Sequence, residues 1–499
     1  MLGDFFWNDD FPWIEAIRQT PPGTLLWSAF VYPYYSSAIR PIAFLWFGLL
    51  VPVCGCEPTG YRAGALALHI VNGLLVYAFG RRLIGDRWLA LAATLVWFIY
   101  PVHRWAVLWI ADIADPFLVL FSLSSLLWFW RYLDQTRAGQ SGKLSYSLAL
   151  IAFTLALLSK ESSITLAFLF PALEWLTRRP GDARGGLKRT WRTYLPFFVL
   201  TGVYLVVEGM AYQYRPGVES YALLSPRRAV ENLSKALIFL VAPLVHPNTL
   251  NTMQMRVGAV VAGVLASLWG LAVWRWARRE GWFLSAWVAI TMLPIILASS
   301  FFAPSRGRYL YIVSIGYILL LALLAQSAVK SRWAVPRQWA AYKWPLATGA
   351  LAIVLIGLGV FNADQQRFVR DDPINALRRW TRGGLMGCPV TEAMRARERS
   401  WEEADFRRAA QSFDQLALQV PLTAIDILSR GLAYELAGDP DRAAANYRAG
   451  LALVPATGYD NRNVNWGDYW PYERIASYVQ TRLDALERTT DGGRKTEER

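Results

Sequence analysis

The sequence is poor in the residues that bind metals, form disulfides and face water. Its 499 residues include three cysteines and three histidines, too few for a disulfide framework or a zinc cluster. Cys54 and Cys56 form a short Cys-Gly-Cys element, for which simple packing is favoured over a redox role. Only 18% of the residues are charged, whereas soluble domains carry about a quarter. The low charge predicts a large lipid-facing surface.

Apolar and aromatic residues are abundant instead. Hydrophobic residues make up 55% of the chain, which includes 24 Trp and 23 Tyr, and such amphipathic rings collect at membrane interfaces. The net charge of +14 by itself suggests nucleic acid. From Asp364 to the end, however, 20 Lys and Arg face 21 Asp and Glu, so the excess lies among the apolar segments. An excess of basic residues between apolar segments indicates the orientation of the chain in the membrane, and no nucleic-acid partner is predicted.

About ten apolar segments have the length and composition of membrane spans. The sequence therefore predicts an all-α fold, a polytopic transmembrane helix bundle with spans over about 61–361. A further stretch, 229–247, is predicted to be re-entrant or interfacial, because a span there would reverse the charge pattern that follows. The ten predicted spans are 61–80, 86–103, 115–131, 144–158, 162–176, 193–208, 256–274, 282–301, 308–326 and 344–361.

Basic residues concentrate in alternate turns between these segments. Five turns hold 19 of the 31 basic residues that precede Asp364 and are predicted to be cytoplasmic. The first loop, 1–60, and the C-terminal tail then lie on the outer, periplasmic side of a bacterial inner membrane. The turns carry Arg81, Arg82 and Arg87; Arg131, Arg137 and Lys143; Arg178, Arg179, Arg184, Lys188, Arg189 and Arg192; Arg275, Arg278 and Arg279; and Lys330, Arg332, Arg337 and Lys343.

The chain is predicted to change from a transmembrane domain, 1–363, to a soluble helical tail. A linker over 364–389 precedes a helical domain at 390–485 and a disordered end at 486–499. A 34-residue repeat supports this division, since that period is typical of tetratricopeptide repeats. Ala409, Phe413, Leu416 and Pro421 recur as Ala443, Tyr447, Gly450 and Pro455.

Several polar clusters lie at span ends outside the predicted cytoplasmic turns, and each has a structural alternative. A carboxylate is costly at that depth unless it faces a cavity or a partner. The clusters, with their alternatives, are Asp9-Asp10 (a solvated turn), Asp112 and Asp115 (a helix cap), Lys160-Glu161 (an ion pair fixing a hairpin), and Arg306 and Arg308 near Tyr311 (snorkelling at the interface).

Two histidines complete the candidate set. His69 and Asn72 share one face of a span, and interhelical hydrogen bonding is the favoured role. His103 follows Pro101 and is expected beside Asp112 and Asp115. Outer carboxylates together with an outer arginine pair suit an enzyme that acts on a lipid-linked phosphate ester.

The order of these motifs resembles the GT-C superfamily of membrane glycosyltransferases. The sequence is most similar to the branch with C-terminal tetratricopeptide repeats, related to the transmembrane O-mannosyltransferases. The resemblance covers about 300 residues and rests on the ordered set, since no single motif is specific. The motifs are Phe-Trp-Asn-Asp-Asp at 6–10, Arg40-Pro41, His69-x-x-Asn72, Pro101-x-His103, Asp115 after Trp109-Ile110, Leu-Leu-Ser-Lys-Glu at 157–161, and Arg-x-Arg-Tyr-Leu-Tyr at 306–311.

The resemblance implies transfer of a sugar, with inversion, from a polyprenyl-phosphate donor to a protein or glycan acceptor on the outer face. Asp9 or Asp10 would be the general base; Asp10 is favoured, because the segment Phe11-Pro12 after it would present it at a turn. Asp112 or Asp115 would help to hold a divalent metal, Mg or Mn. The substrate-binding set would be Arg306, Arg308, Tyr311, Lys160, Glu161, His103 and Arg40, with the arginines and Lys160 stabilising the departing phosphate.

Two departures from the family pattern stand against full equivalence. Relatives often carry a glutamate two residues after the histidine, where this chain has Trp105. Relatives also begin with a span before the Asp-Asp loop, for which the sequence before Asp9 has no room. Two alternative functions stay open, a transporter, which would usually show internal two-fold repeats, and a non-catalytic scaffold that recruits partners through the tail. Assays of sugar transfer would separate the enzyme from both.

Overall fold

A computed structural model describes most of the chain and contains helices, turns and no β-strand in the residues it describes. The predicted all-α class is confirmed. The described residues are 10–31, 39–55, 58–178, 187–213, 226–241, 279–296, 304–330, 351–360, 405–418, 424–453 and 479–488, with isolated helical positions between 260 and 275 and the single positions 349 and 422.

The helices are numbered in chain order. Those before the tail are α1 (Asp10–Gln19), α2 (Leu25–Val31), α3 (Pro41–Cys54), α4 (Pro58–Ile84), α5 (Arg87–Phe98), α6 (Arg104–Leu108), α7 (Ala114–Arg137), α8 (Lys143–Leu157), α9 (Leu169–Thr177), α10 (Leu187–Gln213), α11 (Pro226–Val241), α12 (Arg279–Ile296), α13 (Leu310–Lys330) and α14 (Leu351–Val360). Short 3-10 helices cover Pro101–His103, Ile110–Asp112, Glu161–Phe168 and Pro304–Tyr309.

The chain is a helical membrane protein. Four of the described helical segments are long and apolar enough to cross a bilayer, and a fifth span results if the bent pair α5 and 101–108 is counted as one. The four segments are Pro58–Ile84, Ile110–Arg137, Trp191–Met210 and Gly307–Ser327. Five predicted spans are not among these candidates. The helices α8 and α14 are shorter than a span, 161–177 is divided between a 3-10 helix and α9, α12 does not meet the hydropathy of a candidate span, and most of 256–274 lies outside the described residues.

The segment predicted as a first outer loop is not a loop where the structure describes it. It contains α1, α2 and the 14-residue apolar helix α3. Phe44 and Phe47 of α3 are buried, and the ring of Trp13 in α1 stacks on Phe47 with centroids 5.5 Å apart. Turn residues Ile110 and Ala111 join the same apolar cluster. At 14 residues α3 is shorter than a membrane span and packs against protein, so the position of 1–60 on the outer side of the membrane stays a prediction.

The segment predicted to be re-entrant or interfacial forms α11, a 16-residue helix that ends at Val241. It packs against α12 and α13, and the side chain of Asn232 donates a hydrogen bond to the Ile296 carbonyl. The helix is not among the candidate spans. The rest of the predicted stretch, 242–247, lies outside the described residues.

The tail forms α15 (Phe406–Ala417), α16 (Ala424–Leu436), α17 (Pro440–Ala452) and the helical residues 479–488. At the crossing of α16 and α17, a Cβ on Gly431 would lie 2.6 Å from a ring carbon of Tyr447, so only glycine permits this approach. Glu435 accepts hydrogen bonds from Arg482 and Tyr447. Burial opposes ionisation, but these donors hold the pKa of Glu435 below its usual range. The repeat assignment and the domain boundaries stay predictions, and 489–499 lie outside the described residues.

The largest apolar core joins α4, α5, α7, α8, α12 and α13. Trp287 of α12 and Leu319 of α13 are fully buried within it. The indole of Trp287 donates a hydrogen bond of 2.9 Å to the Ile312 carbonyl. A Cβ on Gly316 of α13 would lie 2.5 Å from Cδ1 and 2.8 Å from Cγ of that indole. The close crossing of α12 and α13 therefore depends on Gly316.

Replacing Gly316 by alanine tests this crossing. We expect Gly316→Ala to destabilise the purified protein by about 1–3 kcal/mol, because a rigid, hydrogen-bonded ring has to move. The measurement is thermal unfolding in detergent, followed by tryptophan fluorescence. Gly202→Ala is the matched control, since a Cβ on Gly202 in the span Trp191–Met210 meets nothing within 4 Å. Equal stability of the two variants would show that α12 and α13 are not packed as closely as described.

Candidate functional site

Asp112 and Asp115 lie where α7 begins. Asp112 ends the 3-10 turn Ile110–Asp112, and its amide donates to the carbonyl of Trp109. Asp115 is the second residue of α7, so it is not the helix cap that the sequence allowed as an alternative. Pro116 follows within the first turn, where a missing N–H costs no helical hydrogen bond. Both carboxylates are buried, with 2–3% of their side-chain surface exposed.

Lys160 inserts between these carboxylates from the break that follows α8. Its backbone is extended (φ −158°, ψ 140°), and its carbonyl accepts hydrogen bonds from the amide and the hydroxyl of Ser163. Lys160 Nζ lies 2.5 Å from Asp115 Oδ2 and 4.0 Å from Asp112 Oδ1, and 1% of the side chain is exposed. Lys160 therefore pairs with Asp115 rather than with its neighbour Glu161, and the ion pair of the structural alternative is formed with another helix.

Arg308 closes the cluster from the opposite side. It lies in the 3-10 helix Pro304–Tyr309, and its Nε is 3.3 Å from Asp112 Oδ1. Its guanidinium lies over the ring of Trp109, 4.2 Å from the centroid. With 15% of its side chain exposed, Arg308 is the most accessible of the four charged residues. Asp112, Asp115, Lys160 and Arg308, called the charge cluster below, contain two acids and two bases and are neutral together.

Arg40 and Glu161 form a second ion pair beside the cluster. Arg40 Nη2 and Nε lie 2.9 Å and 3.2 Å from the two Glu161 oxygens, the geometry of a two-point contact. Burial alone would raise the pKa of Glu161, but Arg40 and Lys160 together lower it below its usual range. The pair joins the start of α3 to the start of the 3-10 helix after α8, so Arg40 and Glu161, both predicted to bind substrate, are brought together by the fold.

The charge cluster is a poor fit to the predicted divalent metal. Asp115 is occupied by Lys160, and Asp112 shares one oxygen with Lys160 and Arg308. Asp112 Oδ2 is buried and has no hydrogen-bond partner among the described residues. In the described ranges, no group of three His, Cys, Asp or Glu could hold a metal ion. A metal would have to displace two buried cations, so metal binding at Asp112 and Asp115 stays a prediction from the resemblance alone.

The polar core next to the cluster is built around His69. Its Nε2 donates to the carbonyl of Phe98 at 2.9 Å, so Nδ1 is unprotonated and accepts from the Tyr311 hydroxyl at 2.7 Å. Asn72 donates to the same hydroxyl and to the Pro116 carbonyl. The predicted interhelical hydrogen bonding by His69 and Asn72 is confirmed. Tyr311 is fully buried with its hydroxyl in use, an arrangement that does not favour the predicted substrate contact.

His103 belongs to the same polar core. Its Nε2 is 2.8 Å from the hydroxyl of Ser314, which donates to the Tyr311 carbonyl and accepts from the indole N–H of Trp97. The expectation that His103 lies beside Asp112 and Asp115 stays a prediction, since the contacts of its side chain are with Ser314 and with the ring of Tyr311. Residues 100–103 form a bend with a 3-10 turn. This bend directs the imidazole of His103 toward Ser314 in α13.

Three predicted site residues are described incompletely or not at all. Asp9 lies outside the described residues, and Asp10 is the first residue of α1 with an undescribed side chain. Phe11 is helical rather than extended, so Asp10 is presented by the first turn of a helix. That helix packs against α3 and the 110–112 turn, next to the charge cluster. Arg306 lies in the same 3-10 helix as Arg308, and its side chain is undescribed.

Trp109 and Tyr309 are site residues that sequence reasoning missed. Trp109 carries Arg308 on its ring, and Tyr309 lies under Lys160, with Nζ 4.6 Å from the ring centroid. Each aromatic ring stabilises a cation that would otherwise be costly to bury. The sequence held a signal for both residues, because Tyr309 directly follows Arg308 and Trp109 precedes Asp112 by three positions.

The fold and the site define a class, a helical membrane protein with a neutral, buried charge cluster at one end of its bundle. No family model and no solved structure matches the chain. Curated relatives do match. The chain is 31% identical over 185 residues to protein O-mannosyl-transferase TMTC1 of Mus musculus and 28% identical over 181 residues to the protein of the same name from Homo sapiens. It is 31% identical over 121 residues to protein O-mannosyl-transferase TMTC2 of Homo sapiens.

These similarities are partial. The match to mouse TMTC1 covers 33% of this chain and 19% of that protein, and the match to human TMTC2 covers 24% and 14%. The chain thus spans about a fifth or less of the length of these relatives in the matched regions. Over that segment the comparisons confirm the predicted resemblance to the transmembrane O-mannosyltransferases. The relatives named here are animal proteins and carry no information about a bacterial membrane.

Removing Lys160 alone tests whether the charge cluster holds the bundle together. We expect Lys160→Met to destabilise the protein by about 3–5 kcal/mol, since it leaves a buried carboxylate without a counter-charge. The double variant Asp115→Asn with Lys160→Met should recover most of this loss. Chemical unfolding in detergent measures both.

The control is Arg448→Met, which breaks an ion pair with Glu487 in which both side chains are about half exposed. Its cost should stay below about 1 kcal/mol. Wild-type stability of Lys160→Met would mean that Lys160 is not buried against Asp115.

Proposed function

We propose that the protein is a membrane glycosyltransferase that moves a sugar from a polyprenyl-phosphate donor to a protein or glycan acceptor on the outer face. The observation that carries this proposal is the partly exposed Arg308, held in place by Asp112 and stacked on Trp109. A fixed guanidinium at the end of a span is suited to bind the phosphate of a lipid-linked donor. The similarity to proteins named O-mannosyl-transferases supports the same class of reaction.

Members of the charge cluster would have different roles in this reaction. Arg308, with Arg306 beside it in the chain, would contact the phosphate and stabilise the charge that develops as it leaves. Lys160 is a positioning residue, because it is 1% exposed and bound to Asp115. Asp112 orients Arg308, and Arg40 with Glu161 fixes the neighbouring segment. The cluster is neutral by itself, so it has no excess of carboxylates that would repel a bound phosphate.

The chemical step would be a single displacement at the anomeric carbon. The acceptor hydroxyl oxygen forms a bond to that carbon while the bond from carbon to phosphate oxygen breaks, and the electron pair leaves with the polyprenyl phosphate. The hydroxyl proton passes to a carboxylate, for which we propose Asp10 at the start of α1. The packing of α1 against the turn that carries Asp112 supports this choice.

Substitution of Arg308 separates binding of the donor from simple charge balance. We expect Arg308→Ala to lower donor turnover about ten- to a hundredfold, the value of one charge-assisted hydrogen bond of roughly 1.5–3 kcal/mol. Arg308→Lys should restore part of the rate, because it keeps the charge and loses the planar fork. Turnover is measured with a synthetic polyprenyl-phosphate sugar.

The matched control is the double variant Asp112→Asn with Arg308→Ala, which removes both partners and leaves no unpaired carboxylate. Continued loss of turnover in this variant supports a contact between Arg308 and the donor. Recovery to the wild-type rate would mean that Arg308 only neutralises Asp112.

Substitution of the Asp9-Asp10 pair tests the enzyme proposal itself. Asp10→Asn preserves shape but cannot accept a proton, and a general base contributes about 10²–10⁴-fold to the rate. Single-turnover transfer should therefore be lost in Asp10→Asn, with expression and donor binding unchanged, whereas Asp9→Asn should be much milder. If Asp9→Asn is inactive while Asp10→Asn is active, the general base is Asp9 rather than Asp10. Full rates in both would exclude this segment from catalysis.

A further inference from the structure

Four arginines gather at the end of the bundle opposite the charge cluster. Helices α4 and α7 run side by side in the same direction, since Asn72 in the middle of α4 reaches Pro116 at the start of α7, and Arg82 near the end of α4 reaches Asp134 near the end of α7. Asp112 and Asp115 lie where the second of these helices begins, so the far end of the pair is the opposite face. Arg81, Arg82, Arg87 and Arg131, called the arginine patch below, lie at that end.

The patch has more positive charge than its carboxylates can balance. Asp134 is shared between Arg82 and Arg137, and Asp86 is used to cap α5 by accepting from the amides of Trp88 and Leu89. Arg82 lies over the ring of Trp130, the residue that precedes Arg131 in α7. Arg81, Arg87 and Arg131 are exposed, and none of them forms an ion pair with a side chain in the described ranges.

Three of the four guanidinium groups lie over tryptophan rings. Arg82 is 4.7 Å from the ring centroid of Trp130, Arg87 is 5.2 Å from that of Trp88, and Arg131 is 5.3 Å from that of Trp128. A guanidinium stacked in this way keeps its N–H groups free at the edge, where they can form a fork around two oxygens of a phosphate. Tryptophan rings favour the depth at which lipid headgroups begin.

We propose that the arginine patch binds the phosphate groups of anionic phospholipids in the leaflet that surrounds this end of the bundle. The patch lies at the ends of candidate spans, where headgroup phosphates are present at high density. A bound phosphodiester anion would also supply negative charge that Asp86 and Asp134 do not provide for all four arginines. The site is distinct from the charge cluster and does not depend on the proposed sugar transfer, because it lies at the opposite end of α4 and α7.

Lipid nanodiscs of defined composition test the proposal with the full chain. Thermal unfolding of the wild-type protein is compared between discs of phosphatidylcholine alone and discs that also contain phosphatidylglycerol, and lipid affinity is measured by titration in detergent. Phosphatidylglycerol should raise the unfolding temperature of the wild type. Each neutralised arginine should weaken the apparent affinity for phosphatidylglycerol about fivefold, and the triple variant R81Q/R87Q/R131Q about a hundredfold.

Arg104→Gln is the matched control, because Arg104 also lies over a tryptophan ring, that of Trp105, at the other end of the bundle. It should leave the effect of phosphatidylglycerol intact, and R81K/R87K/R131K should retain most of it. Single Arg131→Gln serves if the triple variant fails to fold, since Arg131 is exposed. The proposal is overturned if the glutamine variants respond like the wild type, if Arg104→Gln loses the effect equally, or if inorganic phosphate stabilises as well as the lipid.

Discussion

The ion pairs of Asp112 and Asp115 with Lys160 and Arg308 are the interaction on which the rest of this structure depends. Three buried charges and the partly exposed Arg308 are tolerated at the end of a membrane bundle because they sum to zero and form three ion pairs of 2.5–4.0 Å. They come from three separate parts of the chain, the start of α7, the break after α8 and the turn before α13. Satisfying them therefore fixes how three helices meet.

The polar core beneath the cluster extends this constraint into the bundle. His69 and Asn72 of α4 hold Tyr311 of α13, and Asn72 also holds the first turn of α7 through Pro116. His103 and Trp97 fix Ser314 in the next turn of α13. Each of these polar groups would be costly in an apolar bundle without its partner. The helix that carries Arg308 at its start is thus positioned by hydrogen bonds along its first two turns.

The two ends of the bundle accommodate charged residues in different ways. At one end, acidic and basic residues pair with one another and are mostly buried. Arg308 belongs to this set, and it is held in place while part of its side chain stays exposed. At the other end, Arg81, Arg87 and Arg131 are exposed and have no carboxylate partner in the described part of the chain, and Arg87 and Arg131 lie over tryptophan rings. The first arrangement suits recognition of one phosphate in a fixed geometry, and the second suits the many phosphates of a lipid leaflet.

The sequence by itself determined the helical membrane class, the resemblance to O-mannosyltransferases and the residues of the charge cluster, because apolar runs, charge bias and costly polar residues can be read along a chain. It could not determine the partners of those residues. Lys160 was assigned to phosphate and Asp115 to metal, yet the fold pairs them, and it directs His103 into the core. Such pairings join residues 45 or more positions apart. They depend on which helices pack together, and that is decided only when the buried charges and the apolar faces are satisfied at the same time.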